Sequence, residues 1–322
     1  MTHALLSRRE WLQRTSAIAG GAVVAHLFPD AMGRAWAQAQ TAVDPVAAAR
    51  AGMAKTPIEV LKLTDTLTLL SGPGGNVVVL NGSEGKIVVD TFIQGVFPAL
   101  KQRLDAMGNA AIKLAIDTHW HFDHVDNNES FRKAGAGILA HANTPKRMSQ
   151  PHELLGMKFP ASPAGAMPTQ TFAMTHSLQA NGEKVELAYI PPAHTDTDIS
   201  VHFTRGNVLH LGDTFFNGMY PVIDPGTGGN LNGMIASADR AIRMATPATK
   251  IVPGHGPVAD RAALMRYREM LVTVRERLQK LKTAGRSAQE VVAAKPLADL
   301  DAVWGKGFLM PDQFVQMAYN SL

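Results

Sequence analysis

Four potential metal ligands fall within six consecutive positions, His119-Trp120-His121-Phe122-Asp123-His124, and no other stretch constrains this chain as tightly. The run follows Lys113-Leu114-Ala115-Ile116-Asp117, an apolar segment of β type. In an extended backbone side chains alternate in direction, so His119 and His121 project to the same side. That spacing suits two ligands of one ion. Asp123 and His124 then turn the other way and can hold a second. Such a cluster is hard to explain as packing, and a His-rich surface loop that binds nothing specific would leave the matching residues downstream unexplained.

Those residues stand where loops should present ligands. His194 lies in Pro191-Pro192-Ala193-His194-Thr195, after the strand-like run 183–190. Asp213 ends Val208-Leu209-His210-Leu211-Gly212-Asp213, and His255 ends Lys250-Ile251-Val252-Pro253-Gly254-His255. Each follows a β-branched, apolar run bounded by Gly or Pro, which reads as a buried strand. Loops at strand ends are where a rigid scaffold places functional groups.

Taken together, Thr118-His119-Trp120-His121-Phe122-Asp123-His124, His194, Asp213 and Pro253-Gly254-His255-Gly256 resemble the metallo-β-lactamase superfamily of binuclear hydrolases. The motifs keep the family order across residues 56–260. The resemblance implies an α/β fold, a four-layer αββα sandwich with the metals along one edge of its two sheets. It assigns His119, His121 and His194 to one ion, Asp123, His124 and His255 to the other, and Asp213 to both. It implies a hydroxide shared by two Zn²⁺ per chain, attacking an ester, lactone or lactam carbonyl, with Asp123 orienting it. Imidazole and carboxylate ligands suit zinc and leave iron or manganese open.

Alternatives within the resemblance are a glyoxalase II-like thioesterase, a β-lactamase and a mononuclear-iron persulfide dioxygenase. A phosphodiesterase would be expected to carry a basic groove, and a diiron oxidoreductase a glutamate at the His121 position; neither is present. The chain contains no cysteine, which removes disulfides, thiolate ligands and the lactamase subclasses that place cysteine at the Asp213 position. A non-catalytic binding protein of the same fold is the reading from a different class, and the complete ligand set speaks against it.

The 322 residues allow one large domain with an appendage. A net charge of +4 with no Lys/Arg run makes nucleic acid a poor partner, and the resemblance implies a small-molecule substrate. Residues 1–39 read as an export signal. Ser7-Arg8-Arg9-Glu10-Trp11-Leu12-Gln13 resembles the twin-arginine motif, and small residues suited to cleavage stand at Ala35, Ala37 and Ala39. The apolar run after it is too short to span a membrane as a stable helix. A periplasmic or secreted protein is expected, with oligomeric state left open.

Residues 40–55 read as a poorly ordered lead-in, 56–260 as the catalytic domain and 261–322 as a C-terminal helical extension. Three β runs, 58–70, 76–80 and 86–90, are separated by turn residues. Helical patterns cover 96–107, 231–245, 260–283, 287–294 and 312–321. Residues 142–182, scattered with proline, read as an irregular insertion, either a flap over the substrate or a packed lobe. Asp90 is expected to be a supporting carboxylate, and Thr195 and Asp198 to brace the His194 loop. His141, His202 and His210 are expected to be structural, and His152 and His176 to lie at the surface. Tyr220 is the candidate to hydrogen-bond a developing oxyanion, with Asn217 and Asn232 as weaker candidates.

Overall fold

Residues 44–322 are described by the computed structural model; the export-signal reading of 1–39 lies outside them. Helix α1 (Pro45–Met53) is capped by Asp44, whose side chain accepts from Ala47 N. It opens on a proline, which suits a first turn. Val46, Ala49 and Met53 form its buried stripe, so the later part of the expected disordered lead-in is instead a packed helix. Arg50 fastens it by donating to both carboxylate oxygens of Asp126, at 2.7 and 2.9 Å.

Strands β1 (Glu59–Lys62), β2 (Leu67–Gly72), β3 (Gly75–Leu80) and β4 (Lys86–Val89) form an antiparallel meander. Helix α2 (Phe97–Asp105) crosses over to β5 (Ile112–Ile116), which pairs parallel with β4. Short helices α3 (Phe122–Val125) and α4 (Asn128–Lys133) precede β6 (Gly137–His141). Helix α5 (Thr144–Met148) and a hairpin of β7 (His152–Leu154) and β8 (Met157–Phe159) then lead to β9 (Gln170–Phe172). The first sheet has the order β1-β2-β3-β4-β5-β6-β9.

The second sheet contains β10 (Thr175–Ala180), β11 (Glu183–Tyr189), β12 (Ile199–Phe203), β13 (Val208–His210) and β14 (Lys250–Val252), in that order. Its last pair is parallel because α6 (Leu231–Met244) makes the return crossing. Helices α7 (Arg261–Thr283), α8 (Ala288–Ala293), α9 (Ala298–Trp304) and α10 (Pro311–Asn320) complete the chain.

Period-two alternation sorts the core into layers. Leu69, Val78, Val89, Ile116 and Leu139 of the first sheet share one buried cluster with Leu187, Val201, Phe203, Val208 and Val252 of the second. Their neighbours Leu70, Val77, Val79, Val88, Ala115 and Ile138 belong to another cluster with the helical residues Leu100, Leu104 and Phe131. Leu209 and Ile251 of the second sheet join Ile235 of α6 and Leu264 and Leu271 of α7 there. The result is helix, sheet, sheet, helix. Each Leu, Ile or Phe fully buried in these layers contributes roughly 1.5–3 kcal/mol.

Residues 142–182 are more regular than their prolines suggest. β9 closes the first sheet and β10 forms the outer strand of the second, so the later part belongs to the sandwich. The part outside both sheets is α5, the β7–β8 hairpin and a short turn over Ala164–Ala166. Among the described residues no helix is long and apolar enough to cross a membrane.

Candidate metal centre

The loop after β5 and the loops after β11, β13 and β14 meet at one edge of the two sheets. His119 lies in the bend after β5, and His121, on extended backbone, immediately precedes α3, which carries Asp123 and His124. Asp213 lies on a short turn, Gly212–Thr214, after β13. The His255 loop is held to the first sheet by Asn76, whose Nδ2 donates to Pro253 O and Gly256 O at 2.9 and 2.8 Å.

Three groups of side chains bring ligand atoms within 4.8 Å of one another: His119, His121 and His194; His119, His124 and Asp213; and Asp123, His124 and His255. Asp213 faces all of them. Its Oδ2 lies 3.8 Å from His119 Nε2, 3.6 Å from His194 Nε2 and 3.3 Å from His255 Nε2, and its Oδ1 3.3 Å from His124 Nε2. Asp123 Oδ2 lies 3.4 Å from His255 Nε2 and 3.6 Å from His124 Nε2. All seven ligand residues expected from the sequence therefore converge; two of the three groups coincide with the expected sets, and the third joins His119 and His124 with Asp213.

The hydrogen bonds around the rings show what the cluster fits. His194 Nδ1 faces Val222 O at 2.8 Å, and a carbonyl only accepts, so that nitrogen carries the hydrogen. His121 Nε2 faces Asp224 Oδ2 at 3.1 Å and His124 Nδ1 faces Asp90 Oδ2 at 2.7 Å, so those nitrogens donate too. Thr118 Oγ1 donates to Asp90 Oδ2 and so accepts from His119 Nδ1. In their neutral forms all four rings thus aim bare lone pairs inward. His121 Nδ1 and His194 Nε2 meet at only 2.8 Å, and His119 Nε2, His124 Nε2 and Asp213 Oδ1 are buried without a hydrogen-bond partner. Lone pairs converging in a buried site need a cation between them. The residues fit metal ions.

The electrostatics agree. Burial, aided by His124, pushes His119 well below the ordinary imidazole value, and burial with repulsion from His121 holds His194 at about 4. Burial pushes His124 and His255 the same way, but Asp213 and its neighbours overcome it, raising His124 well above the usual range and His255 to about 9. Burial likewise opposes ionisation of Asp213, yet His255 and His124 hold it well below the carboxylate range.

Supporting groups were only partly visible in the sequence. Asp90 lies behind the ligands as expected: Oδ1 accepts from Thr118 N at 2.7 Å while Oδ2 meets His124. Asp198 accepts from the backbone N–H groups of His194 and Thr195 and from the Thr195 hydroxyl, bracing that loop. Asp224 and Asn76 were missed. The Gly-rich run after Asp224 was the one available signal, since Asp224 also accepts from Thr227 Oγ1 within that turn. His210 is structural, its Nδ1 accepting from Gly212 N. His152 is not a surface residue: its ring stacks on Phe159 and meets Trp120 edge-on.

Tyr220 requires a correction. Its hydroxyl donates to Asp301 Oδ1 at 2.9 Å and its ring stacks on Phe314 of α10, so it joins the C-terminal helices to the sandwich and does not reach the ligands. Burial and Asp301 raise its pKa, keeping the phenol neutral. Asn217 donates to Pro257 O and Asn232 is exposed on α6, so neither supplies an oxyanion donor.

Residues 70–255 match the family model of the metallo-beta-lactamase superfamily. Similar solved structures include a metallo-beta-lactamase from Pontibacter korlensis, at 18% identity and TM-score 0.57 over 67% of this chain and 99% of that one. The DIM-1 metallo-beta-lactamase is similar at 17% identity and TM-score 0.56, over 68% of this chain and 99% of that one. The sec-alkylsulfatase Pisa1 from Pseudomonas sp. is similar at 14% identity and TM-score 0.63, over 89% of this chain and 54% of that one. At such identities these structures speak for the fold alone. The family model covers more than half the chain and ends on His255, and the converging histidines and aspartates lie within it: the chain belongs to the metallo-beta-lactamase superfamily of metal-dependent hydrolases.

Proposed function

We propose that this protein is a zinc-dependent hydrolase of carboxylic esters or lactones, holding two ions per chain and working in the periplasm or outside the cell. The observation that carries the reading is the pair of adjacent three-residue ligand groups around Asp213, with His119, His121, His124 and His194 each hydrogen-bonded through the ring nitrogen that faces away from the centre. Zinc is supported by a donor set of imidazole and carboxylate that leaves positions open for water and substrate. Bound there, the ions would supply a water acidified toward neutral pH and a Lewis acid for the substrate carbonyl.

The chain's own residues then have separable tasks. His119, His121 and His194 would hold one ion, and Asp123, His124 and His255 the other, with Asp213 serving both. Asp123 alone among the ligands has a partly exposed side chain, at 13%, and it lines the pocket. Its carboxylate would orient the attacking water and accept its proton. Asp224, Asp90 and Val222 O fix the ring orientation of His121, His124 and His194. Among the described residues lining the pocket there is no hydroxyl or amide side chain to stabilise an oxyanion, so that charge falls to the ions.

Export is supported by the twin-arginine pattern at Ser7-Arg8-Arg9. The route carries folded cargo, which suits a protein whose ligands assemble only on folding.

The test is metal analysis of protein lacking residues 1–39, combined with hydrolysis of a small ester, a lactone, a thioester and a β-lactam. Two zincs per chain with ester or lactone turnover supports the reading. One iron per chain and no hydrolysis overturns it.

A further inference from the structure

The pocket above the metal ligands is an open one, with about 410 Å³ of empty space counted together with the solvent at its mouth. Its lining divides cleanly. His121, Asp123, His194, Asp213 and His255 belong to the metal centre, and every other lining residue is apolar: Met53, Phe122, Leu154, Leu155, Val222 and Phe308. These come from well-separated parts of the chain. Met53 ends α1, Leu154 and Leu155 form the tip of the β7–β8 hairpin, and Phe308 lies between α9 and α10. Phe308 sits edge-on to the His255 ring at 5.2 Å, directly beside the ligands.

Two arginines close to the site are already engaged. Arg50 is held by both oxygens of Asp126, and Arg147 by both oxygens of Asp196 at 2.9 and 2.6 Å. No Lys or Arg stands among the described lining residues. A carboxylate, sulfate or phosphate buried against this wall would lose its hydration without gaining a partner, at a cost of several kcal/mol. An alkyl chain would gain from the same burial.

We propose that the pocket selects an uncharged ester or lactone whose short acyl chain lies against Met53, Leu154, Leu155 and Phe308, and rejects substrates carrying an anionic group there. This rests on the hydrolase reading above. In the step itself, water adds to the acyl carbon and the C–O bond to the leaving oxygen breaks. The products are the free acid and the alcohol, or the hydroxy acid from a lactone.

The experiment compares kcat/KM of the zinc-loaded protein for p-nitrophenyl acetate, butanoate and hexanoate, and for the adipate monoester, which matches hexanoate in length but ends in a carboxylate. Each methylene that enters the wall is expected to raise kcat/KM about fourfold. The adipate monoester should fall at least about tenfold below hexanoate. Leu155→Asp should flatten the acyl series, with zinc content and melting temperature checking the fold; if that variant does not fold, Met53→Ser takes its place. Calorimetric binding of hexanamide, with product analysis to check that it is not hydrolysed during the titration, gives a readout independent of activity and should be lost in the same variant.

A flat or falling acyl series, or preference for the adipate monoester, overturns the proposal while leaving the hydrolase reading intact. No turnover, with hexanamide bound by wild type and lost in Leu155→Asp, overturns the hydrolase reading and leaves the apolar wall standing. No turnover and no hexanamide binding overturns both.

Discussion

Asp224 Oδ2 lies 3.1 Å from His121 Nε2, and this contact decides which ring nitrogen of His121 faces the metal centre. With Nε2 donating outward, Nδ1 is left as the inward lone pair. His119, His124 and His194 present Nε2 inward, so His121 is the one of these four rings turned the other way round. Asp224 is held ionised at about 2: burial opposes this, but the hydrogen bond with His121 prevails.

Asp224→Ala should therefore weaken metal binding about 10- to 100-fold at the His119, His121 and His194 position. The second position, which Asp224 does not touch, should retain its ion. Competition titration with a chromogenic chelator resolves the two steps. Equal weakening of both would show that Asp224 does not act through His121.

Asp90→Ala should destabilise the metal-free protein. The substitution strips the buried partner from Thr118 N and from His124 Nδ1, and each orphaned donor costs about 1–3 kcal/mol. Denaturant unfolding in the presence of a chelator separates this loss from any change in metal affinity.

Gly254 leaves no room for a side chain: a Cβ there would stand 1.8 Å from Asp213 Oδ1. Gly254→Ala should displace the shared carboxylate and reduce bound metal to one ion per chain or fewer. Gly137→Ala is the control, since its Cβ would meet its nearest neighbour at an ordinary 3.4 Å. Metal analysis of both purified variants gives the comparison.

Chelation should lower the melting temperature, because an ion binding the folded chain alone stabilises it by mass action. That amounts to about 4 kcal/mol when free metal exceeds Kd a thousandfold. Melting temperature should rise with the logarithm of free zinc in buffered titrations, and independence from zinc would contradict a structural contribution from the ions.

Tyr220→Phe should leave kcat/KM within about twofold while costing roughly 1 kcal/mol of stability through the lost hydrogen bond to Asp301. A large loss of kcat at unchanged stability would restore Tyr220 to the catalytic machinery.

The ligands were legible in the sequence because their chemistry is local. Three imidazoles and a carboxylate crowd positions 119–124, and strand-end loops announce His194, Asp213 and His255. The sandwich came with the family resemblance that those ligands carry; the apolar runs by themselves indicated strands ending at the same loops. What could not be read depends on contacts between distant segments. Asp224 is 103 residues from the ring it orients, and Asn76 is 177 residues from Pro253. Tyr220 stood in an aromatic run beside a ligand, but the two helices carrying Phe314 and Asp301 decide where its hydroxyl points. Helix α1 hid because alanine-rich composition does not reveal that three residues form a buried stripe.

The division of the ligands between the two sheets has a consequence for synthesis. His119, His121, Asp123 and His124 hang from the first sheet, whereas His194, Asp213 and His255 hang from the second. A nascent chain that has left the ribosome only as far as β11 can finish its first leaf, yet it owns no complete coordination sphere. Ions held there would act as rivets through two leaves, and a rivet can be set only once the second leaf has closed over the first.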